Sequence, residues 1–385
     1  MGIGLILPVM PALIREVTGG SLASAALWGG LLSTSFAIMQ FLFGPVVGNL
    51  SDRFGRRPVL LISLGVMAID YLVMALAGTI WLLLIGRVVG GITAATQSTA
   101  TAFIADISAP EKKAANFGLV GAAFGIGFVI GPAVGGLLAE WGTRAPFYAA
   151  AGLAALNLLF GALVLPETVT DRIRRSLDWR RANPFGAFRS IGRLPGVGRL
   201  LLIFFLYEFG FIVYPSVWAY FGQERFGWSP GVVGLSLAMF GVAFALVQGG
   251  LIKVLLRYLG ERGTVIWGIS FNIAAFLFLA LVTDPVLALI LTPVTALGAV
   301  ATPALQAMMS RKAQDNQQGE LQGVIASARS VAWIAGPLVM TSIFSLFTAP
   351  GGPAYLPGAP FLLSMVLMVV CGVVFVARPR GAAAG

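Results

Sequence analysis

Long apolar runs separated by short polar connections dominate the 385 residues of this chain. A helix that crosses the hydrocarbon core of a bilayer needs about 20 residues, and eleven runs reach or approach that length. The runs are too long for the strands of a membrane barrel and lack their alternation, so the pattern predicts membrane-crossing helices. We number them as spans 2–12; they cover about residues 30–47, 58–78, 80–104, 115–138, 145–165, 199–221, 231–252, 264–283, 285–309, 322–347 and 358–377.

The first apolar stretch, MGIGLILPVMPALIREV, is shorter than the others. It lacks the basic start and the small-residue cleavage site of a signal peptide. As a helix, the part before Arg15 would reach about 21 Å, less than the ~30 Å thickness of the hydrocarbon core. We therefore interpret the stretch as the outer part of an N-terminally truncated span 1.

Basic residues are divided unevenly between the two sides of the predicted membrane. If the opening stretch is a span that enters from the cytoplasm, the inner connections and the C-terminal tail hold 20 of the 25 Lys and Arg residues. The outer connections hold three, and two lie within spans. Cytoplasmic loops of membrane proteins carry such an excess. The distribution predicts twelve spans with both termini in the cytoplasm.

Composition supports an integral membrane protein and excludes several other classes. Hydrophobic residues make up 58% of the chain and charged residues 10%, whereas a soluble domain carries about 25% charged residues. The net charge of +10 lies mainly in the connections, so it indicates orientation rather than nucleic-acid binding. Cys371 is the only cysteine and histidine is absent, so neither a disulfide nor a metal site is expected. No nucleophile–base pair or phosphate loop is visible, so we expect no enzyme and no cofactor.

A basic segment, TDRIRRSLDWRRANPFGAFRSIGRLPG, divides the spans into six and six. It is too polar to cross the membrane, and we interpret it as a cytoplasmic linker that lies against anionic headgroups. The predicted units are an N-terminal bundle at 1–169, the linker at 170–198, a C-terminal bundle at 199–377 and a cytoplasmic tail at 378–385.

The two predicted bundles share a pattern of special residues. A shift of 205 positions superimposes Gly260 on Gly55 and Pro337 on Pro132, with further glycine matches between them. Together with the division into six and six spans, this favours two parallel repeats that rock around a central site.

The connection between spans 2 and 3 reads GNLSDRFGRRPVL and is richer in charge than a membrane turn requires. Asp52 can accept hydrogen bonds from a helix N-terminus or pair with an arginine, and Gly48 and Gly55 permit close approach of the backbone. The segment resembles the loop motif G-x-x-x-D-R-x-G-R-R of the major facilitator superfamily. This resemblance implies a gating role for Gly48, Asp52, Arg53, Gly55, Arg56 and Arg57.

Two ionisable residues lie at similar depth on neighbouring spans. Ionisable groups inside a membrane are costly, so each is a functional candidate. At 1.5 Å per residue, Asp70 lies about 18 Å up span 3 from the cytoplasmic end, and Arg87 lies about 21 Å up span 4. We predict that they can face each other, either as a static ion pair or as a carboxylate that accepts a proton when the pair opens. Arg87 also fits, with Gly91, the R-x-x-x-G pattern of proton-coupled members of the superfamily.

The second half carries further polar candidates inside its spans. Glu208 lies about 13 Å into span 7 without an acidic neighbour, and we expect an unpaired carboxylate that carries a proton or binds a cation. The alternative is a protonated side chain bonded to a carbonyl. Arg329, about 10 Å into span 11, could pair with an acid or bind an anionic group. We assign amide and aromatic residues to the substrate cavity, with core packing as the alternative for the aromatics: Gln97, Tyr214, Trp218, Gln248, Asn272 and Gln306, together with Arg329.

Span 5 carries GFVIGPAVGG, in which glycine recurs beside a proline. Such a helix can kink and pack closely, and an ordinary helix interface is one interpretation. The order G-x-x-x-G-P-x-x-G-G also resembles the motif of drug–proton antiporters in the superfamily. The residues concerned are Gly127, Gly131, Pro132, Gly135 and Gly136.

Segments throughout the chain together resemble the tetracycline-efflux branch of this superfamily, among them SDRFGRRPVLLISL, GRVVGGITAAT, PFYAAAGLAALN, VWAYFGQERFGWS and ATPALQAMMS. The resemblance implies an all-α membrane protein with twelve helices in two bundles, located in the bacterial inner membrane. It implies export of a drug in exchange for protons, with Asp70 as the span 3 carboxylate and Arg87 as the span 4 arginine.

Three departures from that branch leave the substrate open between tetracycline and another drug. Phe244 stands where those exporters carry a histidine, and Asn272 stands where they carry an aspartate. Their acidic residue before the opening Met-Gly-Ile-Gly is not part of this chain. We hypothesise that Glu208, which the exporters lack, replaces a proton site.

Rival readings are a uniporter or symporter for a sugar or organic anion and, with less support, a membrane enzyme or channel. The antiporter motif of span 5 favours an exporter, whereas arginines in the cavity favour anion transport. The expected partners are a small-molecule substrate, protons and the lipid bilayer, with no nucleic acid, and the expected state is a monomer.

Overall fold

The computed structural model describes residues 1–94, 96–170, 183–186, 194, 196–314 and 317–377, apart from the side chains of residues 96, 97, 110, 114 and 115. Every regular element that it describes in these ranges is helical. Backbone N–H and C=O groups find no water in a bilayer, so an apolar segment satisfies them within its own helix.

The helices of the first half follow the predicted order. Span 1 consists of two short helices, and span 4 is divided near its middle. The helices are Gly2–Ile6 and Met10–Thr18 (span 1), Leu22–Phe54 (span 2), Arg56–Leu76 (span 3), Ile80–Thr93 and Thr96–Ile107 (span 4), Lys113–Leu138 (span 5) and Ala145–Val164 (span 6).

The helices of the second half are more often interrupted. A π-helical turn, Val247–Leu251, interrupts span 8, and a 3₁₀ segment, Pro293–Val300, forms the middle of span 10. The α-helices are Gly198–Phe211 and Val213–Phe226 (span 7), Pro230–Leu246 (span 8), Ile252–Leu281 (the end of span 8 and all of span 9), Pro285–Leu291 and Ala301–Lys312 (span 10), Gln318–Thr348 (span 11) and Ala359–Val376 (span 12).

Ten helical stretches among the described residues are long and apolar enough to cross a membrane. One of them, Pro230–Leu281, has 52 residues, more than twice the length that a bilayer requires. It turns at Gly260, whose φ of 65° lies in the left-handed region that favours glycine, so it contains two crossings. These helices confirm the eleven full spans, while Gly2–Ile6 and Met10–Thr18 are each too short to cross alone.

Four helices begin with a side-chain cap. Ser21, Thr79, Ser229 and Asp284 accept a hydrogen bond from a backbone N–H three residues later, at the starts of spans 2, 4, 8 and 10. Such a cap satisfies a donor that the first turn of a helix leaves free. All four lie at the end of the molecule that the charge pattern predicts to be outside.

The two halves contact each other near that same end. Span 2 packs on span 11, where Thr34 donates to the carbonyl oxygen of Ile334 at 2.8 Å. Span 5 packs on span 8, where a Cβ at Gly136 would lie 2.8 Å from the carbonyl oxygen of Pro230. Towards the other end, no atom of the described residues lies within 4 Å of a Cβ placed at Gly118 or Gly121 of span 5. The halves are therefore closed together at one end and separated at the other.

Candidate functional site

Asp70 and Arg87 form an ion pair between spans 3 and 4. Arg87 Nη2 donates to Asp70 Oδ2, and the two side chains are 11% and 4% exposed. This confirms that their similar depth brings them together. Burial of two charges is favourable only when they are closely paired, so neither group can leave without a large cost.

Two glycines of span 4 make room for the carboxylate. A Cβ at Gly86 would lie 2.7 Å from Asp70 Oδ1, and one at Gly90 would lie 2.7 Å from Asp70 Oδ2. Because these distances are shorter than any ordinary contact, a side chain at either position would displace the carboxylate. Gly86 and Gly90 thus form a notch that fits Asp70, and they are residues that the sequence analysis missed.

Arg87 is enclosed by apolar and weakly polar groups. Its guanidinium lies over the ring of Phe36 of span 2, 5.2 Å from the centroid, and its Nη2 lies 2.8 Å from the sulfur of Met74. Within the described part of the chain, Asp70 Oδ1 and Arg87 Nε have no hydrogen-bond partner. The pair is therefore not fully satisfied by the protein, and one oxygen of the carboxylate remains available to a proton.

Glu208 is paired, contrary to the expectation of an isolated carboxylate. Arg329 Nε donates to Glu208 Oε2 at 3.0 Å and Nη2 donates to Oε1 at 3.4 Å. Thr302 of span 10 donates to Oε1 at 3.3 Å, and the guanidinium lies over the ring of Phe204, 5.4 Å from its centroid. The expectation was wrong because the partner lies 121 residues away on another span, beyond the local neighbours that were considered. Arg329 thus takes the first of its two predicted roles.

The charged loop between spans 2 and 3 is organised by Arg56. Its guanidinium pairs with Asp52 and, through Nε, with Asp106 Oδ2 at 3.3 Å, while Nη1 donates to Ser51 Oγ at 2.7 Å. Arg57 donates to the carbonyl oxygen of Ala162 at 2.7 Å. These contacts connect the ends of spans 2, 4 and 6, so in this conformation they tie together elements of one half.

Glu167, just after span 6, is a hydrogen-bond acceptor for the backbone of the charged loop. It accepts hydrogen bonds from the N–H groups of Arg56, Arg57, Thr168 and Val169 at 2.9–3.2 Å. Partial burial opposes ionisation, but these four donors outweigh it and lower the pKa of the Glu167 carboxyl below its usual value.

The two glycines of the loop differ in what surrounds them. Gly55 has a φ of 112°, and a Cβ there would collide with the Glu167 carboxylate, so the predicted close approach is confirmed. Among the atoms that the structure describes, a Cβ at Gly48 would meet only Ser98 Oγ, at 4.0 Å. The close approach expected at Gly48 is therefore not observed in this conformation. Arg53 is exposed.

The glycines of the span 5 motif are contact points on two sides. Cβ atoms at Gly127 and Gly131 would lie 2.9 Å from backbone atoms of span 1, and one at Gly135 would collide with the carbonyl group of Leu5. On the other side, Gly136 meets Gly234 of span 8. The motif thus joins span 1 to span 5 within one half and span 5 to span 8 between the halves. The helix backbones can approach this closely because glycine has no side chain to keep them apart.

Three of the proposed cavity residues lie in the protein interior in this conformation. Tyr214 and Trp218 are 6% and 3% exposed within a cluster of aromatic rings that includes Phe276 and Phe361. Core packing, the alternative for the aromatics, is therefore what the structure shows.

Asn272 is fully buried where spans 7, 9 and 10 meet. Its Nδ2 donates to the hydroxyl of Tyr207 at 2.8 Å and to the carbonyl oxygen of Gly298 at 3.3 Å. A Cβ at Gly298 would collide with this amide, so Asn272 fills a glycine notch much as Asp70 does in the first half. Because the side chain is enclosed, it does not line an open cavity here.

The remaining amides are less enclosed. Gln248, in the π-helical turn of span 8, donates to the carbonyl oxygen of Ala299 at 3.2 Å, and Gln306 of span 10 is half-buried. The side chain of Gln97 lies outside the described part of the chain. Phe244, one of the three departures named above, lies at a tilt to Phe240 with ring centroids 6.1 Å apart.

Asp106 and Glu167 had a signal in the sequence that the analysis did not use. Both are acids that lie near the cytoplasmic ends of spans 4 and 6, beside the arginines of the charged loop. An excess of arginines at one membrane face favours nearby carboxylates, so the two acids could have been proposed as loop partners. Gly86, Gly90 and Thr302 had no comparable signal, because small residues are common throughout this chain.

Comparisons with known proteins show the family to which this chain is similar. A family model described as Major Facilitator Superfamily matches residues 1–337 and 200–384. Tetracycline resistance protein, class C, of Escherichia coli is 42% identical over 364 residues, which cover 94% of this chain and 91% of that protein. Tetracycline resistance protein, class G, of Vibrio anguillarum is 39% identical over 371 residues, covering 96% and 92%.

A solved structure is also similar. The crystal structure of the human organic anion transporter MFSD10 (TETRAN) superimposes with a TM-score of 0.69 and 27% sequence identity. The similarity covers 97% of this chain and 95% of that one.

Proposed function

Because the chain belongs to the Major Facilitator Superfamily, we propose that it is a secondary active transporter that exports a drug-like small molecule in exchange for protons. The observation that carries this proposal is the 42% identity to a tetracycline resistance protein over 94% of the chain. The substrate that we propose is tetracycline or a related drug. The sequence GFVIGPAVGG of span 5, which resembles the motif of drug–proton antiporters, supports an exporter rather than an importer.

Transport proceeds by alternating access between the two halves. Contacts such as Thr34 to Ile334 and Gly136 to Pro230 close one end, while the glycines of span 5 near the other end face open space. When one half rocks against the other, the open end closes and the closed end opens. The moving units are the bundles at 1–169 and 199–377, connected by the basic linker at 170–198, of which the structure describes only part.

The protein crosses the bacterial inner membrane many times, with both termini and the 378–385 tail in the cytoplasm. The support is the excess of Lys and Arg in the connections assigned to the inner side. In this orientation, the closed end of the molecule is outside and the separated end faces the cytoplasm, from which a drug would enter.

Proton coupling is assigned to Asp70 with Arg87 and to Glu208. Each carboxylate is paired with an arginine of a neighbouring span, so a change in helix packing can separate the pair. A carboxylate that loses its cation in a low-dielectric site takes up a proton. The charged loop from Gly48 to Arg57 acts as a gate, with its pairs rearranged when the cytoplasmic end closes.

Everted membrane vesicles provide the test. With an inward proton gradient established, addition of tetracycline should collapse part of the gradient in vesicles that contain the protein and not in vesicles without it. A panel of other drugs then identifies the preferred substrate. Drug uptake that leaves the proton gradient unchanged would contradict the antiport proposal.

A second candidate is transport of an organic anion by uniport or symport. It is supported by the similarity to the MFSD10 structure, whose title names an organic anion transporter, and by Arg329, whose side chain is 42% exposed. The same vesicles separate the two candidates, since a symporter moves protons and substrate in the same direction.

A further inference from the structure

The pair of Glu208 and Arg329 is more accessible than the pair of Asp70 and Arg87. The Arg329 side chain is 42% exposed and that of Glu208 is 14% exposed. Three spans meet at the pair, since Glu208 lies on span 7, Thr302 on span 10 and Arg329 on span 11. A molecule between the two halves can therefore reach the guanidinium without displacing a helix.

The face of span 11 around Arg329 is polar. Gln322, Ala326 and Trp333 lie on the same side of the helix and are exposed, and Ser330 is half-buried beside them. A helix face in contact with lipid tails is apolar, so a glutamine, an arginine and a serine on one face indicate a water-filled space. This face is at the separated end of the molecule.

The first half offers a different surface at the matching position. The shift of 205 residues that superimposes Gly336 and Pro337 on Gly131 and Pro132 superimposes Arg329 on Phe124. The Phe124 side chain is 68% exposed. Parallel repeats are related by an axis along the membrane normal, so matching positions face the centre from opposite sides. The repeat therefore predicts that Phe124 faces Arg329 across the space between the halves, an aromatic side opposite a cationic one.

We propose that Arg329 binds an anionic group of the transported molecule and that Glu208 occupies the same guanidinium when the site is empty. The ligand class is an amphipathic molecule with an acidic group and an aromatic or apolar body, the body lying towards Phe124. This inference rests on the proposed transport function and adds to it the chemistry of the substrate.

The geometry supports an exchange of one anion for another. A guanidinium presents five N–H donors in a planar fork, and Glu208 uses two of them, from Nε and Nη2. Carboxylates and related oxyanions match this fork in two-point contacts. Partly exposed ion pairs are weak, so an incoming acidic group can replace Glu208. The ring of Phe204 keeps the guanidinium in place, and the hydroxyl of Thr302 remains a donor to the displaced Glu208 carboxylate.

The experiment measures binding of two dyes to the purified full-length protein in detergent by fluorescence anisotropy. Fluorescein carries a free carboxylate, whereas rhodamine 6G has the same ring system with an esterified carboxyl group and a positive charge. Glu208→Gln should lower the Kd for fluorescein about tenfold because the internal competitor is removed. Arg329→Gln should raise that Kd by about tenfold or more, and it should not raise the Kd for rhodamine 6G, because the Glu208 carboxylate left behind attracts a cation.

Two further variants keep the test independent of folding. The double variant Glu208→Gln with Arg329→Gln leaves no unpaired charge at the site and should bind fluorescein as weakly as Arg329→Gln. Glu261→Gln removes the acid of another pair of the second half, with Arg311 at 2.9 Å, and should leave the Kd for both dyes unchanged.

The outcomes separate this inference from the proposed function. If Glu208→Gln fails to bind fluorescein more tightly, or if Arg329→Gln weakens both dyes equally, Arg329 is not an anion site. If vesicles exchange tetracycline for protons but the dye affinities do not change, the inference fails and the antiporter stands. If the dye affinities change as expected and no drug is exchanged for protons, the anion site stands and the antiporter fails.

Discussion

The pair of Asp70 with Arg87 and the pair of Glu208 with Arg329 show how the same kind of ion pair is held differently in a buried and in a partly exposed site. Asp70 and Arg87 are 4% and 11% exposed, and Gly86 and Gly90 are shaped around the carboxylate. In the other pair, Arg329 is 42% exposed, and Thr302 is the additional donor to Glu208. Packing holds the first pair, whereas mutual attraction and one hydroxyl hold the second.

Under the proposed function, this difference in exposure indicates that the two ion pairs have different roles in transport. A buried pair is costly to open, so opening it is tied to a movement of whole helices. An accessible pair can be opened by a ligand without such a movement. We therefore expect the pair in the first half to be the main link between proton binding and the conformational change. We expect the pair in the second half to recognise the substrate, with Glu208 contributing to coupling when the substrate displaces it.

Replacement of the buried carboxylate should have the largest effect. Asp70→Asn removes the group that takes up the proton, so drug-dependent proton movement in everted vesicles should fall to that of vesicles without the protein. Glu208→Gln should reduce coupling and alter its pH dependence but retain transport. Immunodetection confirms that both variants insert. Normal coupling in Asp70→Asn would rule out the proton role of this residue.

Removal of the buried cation should have the next largest effect, on stability. Arg87→Gln leaves Asp70 without its partner in a low-dielectric site and should cost about 3–5 kcal/mol. Arg329→Gln, at a partly exposed pair, should cost only about 0.2–1 kcal/mol. Thermal unfolding of the purified variants in detergent compares the two. The double variant Asp70→Asn with Arg87→Gln should recover much of the lost stability without recovering coupling. Equal losses for the two single variants would show that the pairs do not differ as described.

A methyl group in the notch should have a smaller effect. Gly90→Ala places a Cβ 2.7 Å from Asp70 Oδ2, so the carboxylate or the helix must shift, at a cost of about 1–3 kcal/mol. Gly118→Ala is the matched control, because its Cβ faces open space and alanine is the better helix former. Unfolding temperatures should fall for the first variant and stay level or rise for the second. If both substitutions lowered the unfolding temperature equally, the loss at Gly90 would not come from contact with the Asp70 carboxylate.

The smallest effect is expected at Glu167, which is exposed and lies outside the spans. Its pKa is lower in the folded protein than in the unfolded chain, so its contribution to stability is present above the unfolded value and is lost as the pH falls through the folded value. Wild-type protein should therefore lose part of its thermal stability below about pH 4.5, and Glu167→Gln should lose less over the same range. An identical pH dependence in both proteins would contradict this.

The two pairs also show what could be predicted from the sequence. Asp70 and Arg87 lie on consecutive spans, so counting residues from each membrane face was sufficient to place them at the same depth. Three spans lie between those of Glu208 and Arg329 in the sequence, and depth alone does not say which distant helices are neighbours. The expectation that Glu208 is unpaired was wrong for that reason.

Side-chain direction was the other quantity that the sequence did not provide. Tyr214, Trp218 and Asn272 lie within spans as expected, but the rotation of spans 7 and 9 turns them into the interior. The notch at Gly86 and Gly90 was missed because the chain has 49 glycines, and composition does not distinguish those in contact with a carboxylate from the rest.

The order of apolar and polar segments along the chain is sufficient to show that it crosses a membrane, where each full span lies and which residues are ionisable within the spans. The bilayer acts as a solvent that sorts apolar from polar segments one after another along the chain, so a linear pattern carries this information. The tertiary structure alone decided which helices touch and which charges meet, from the glycine notch of Asp70 to the exposed fork of Arg329. Those contacts depend on helix rotation and close packing between residues that are distant in sequence, and no local pattern specifies them.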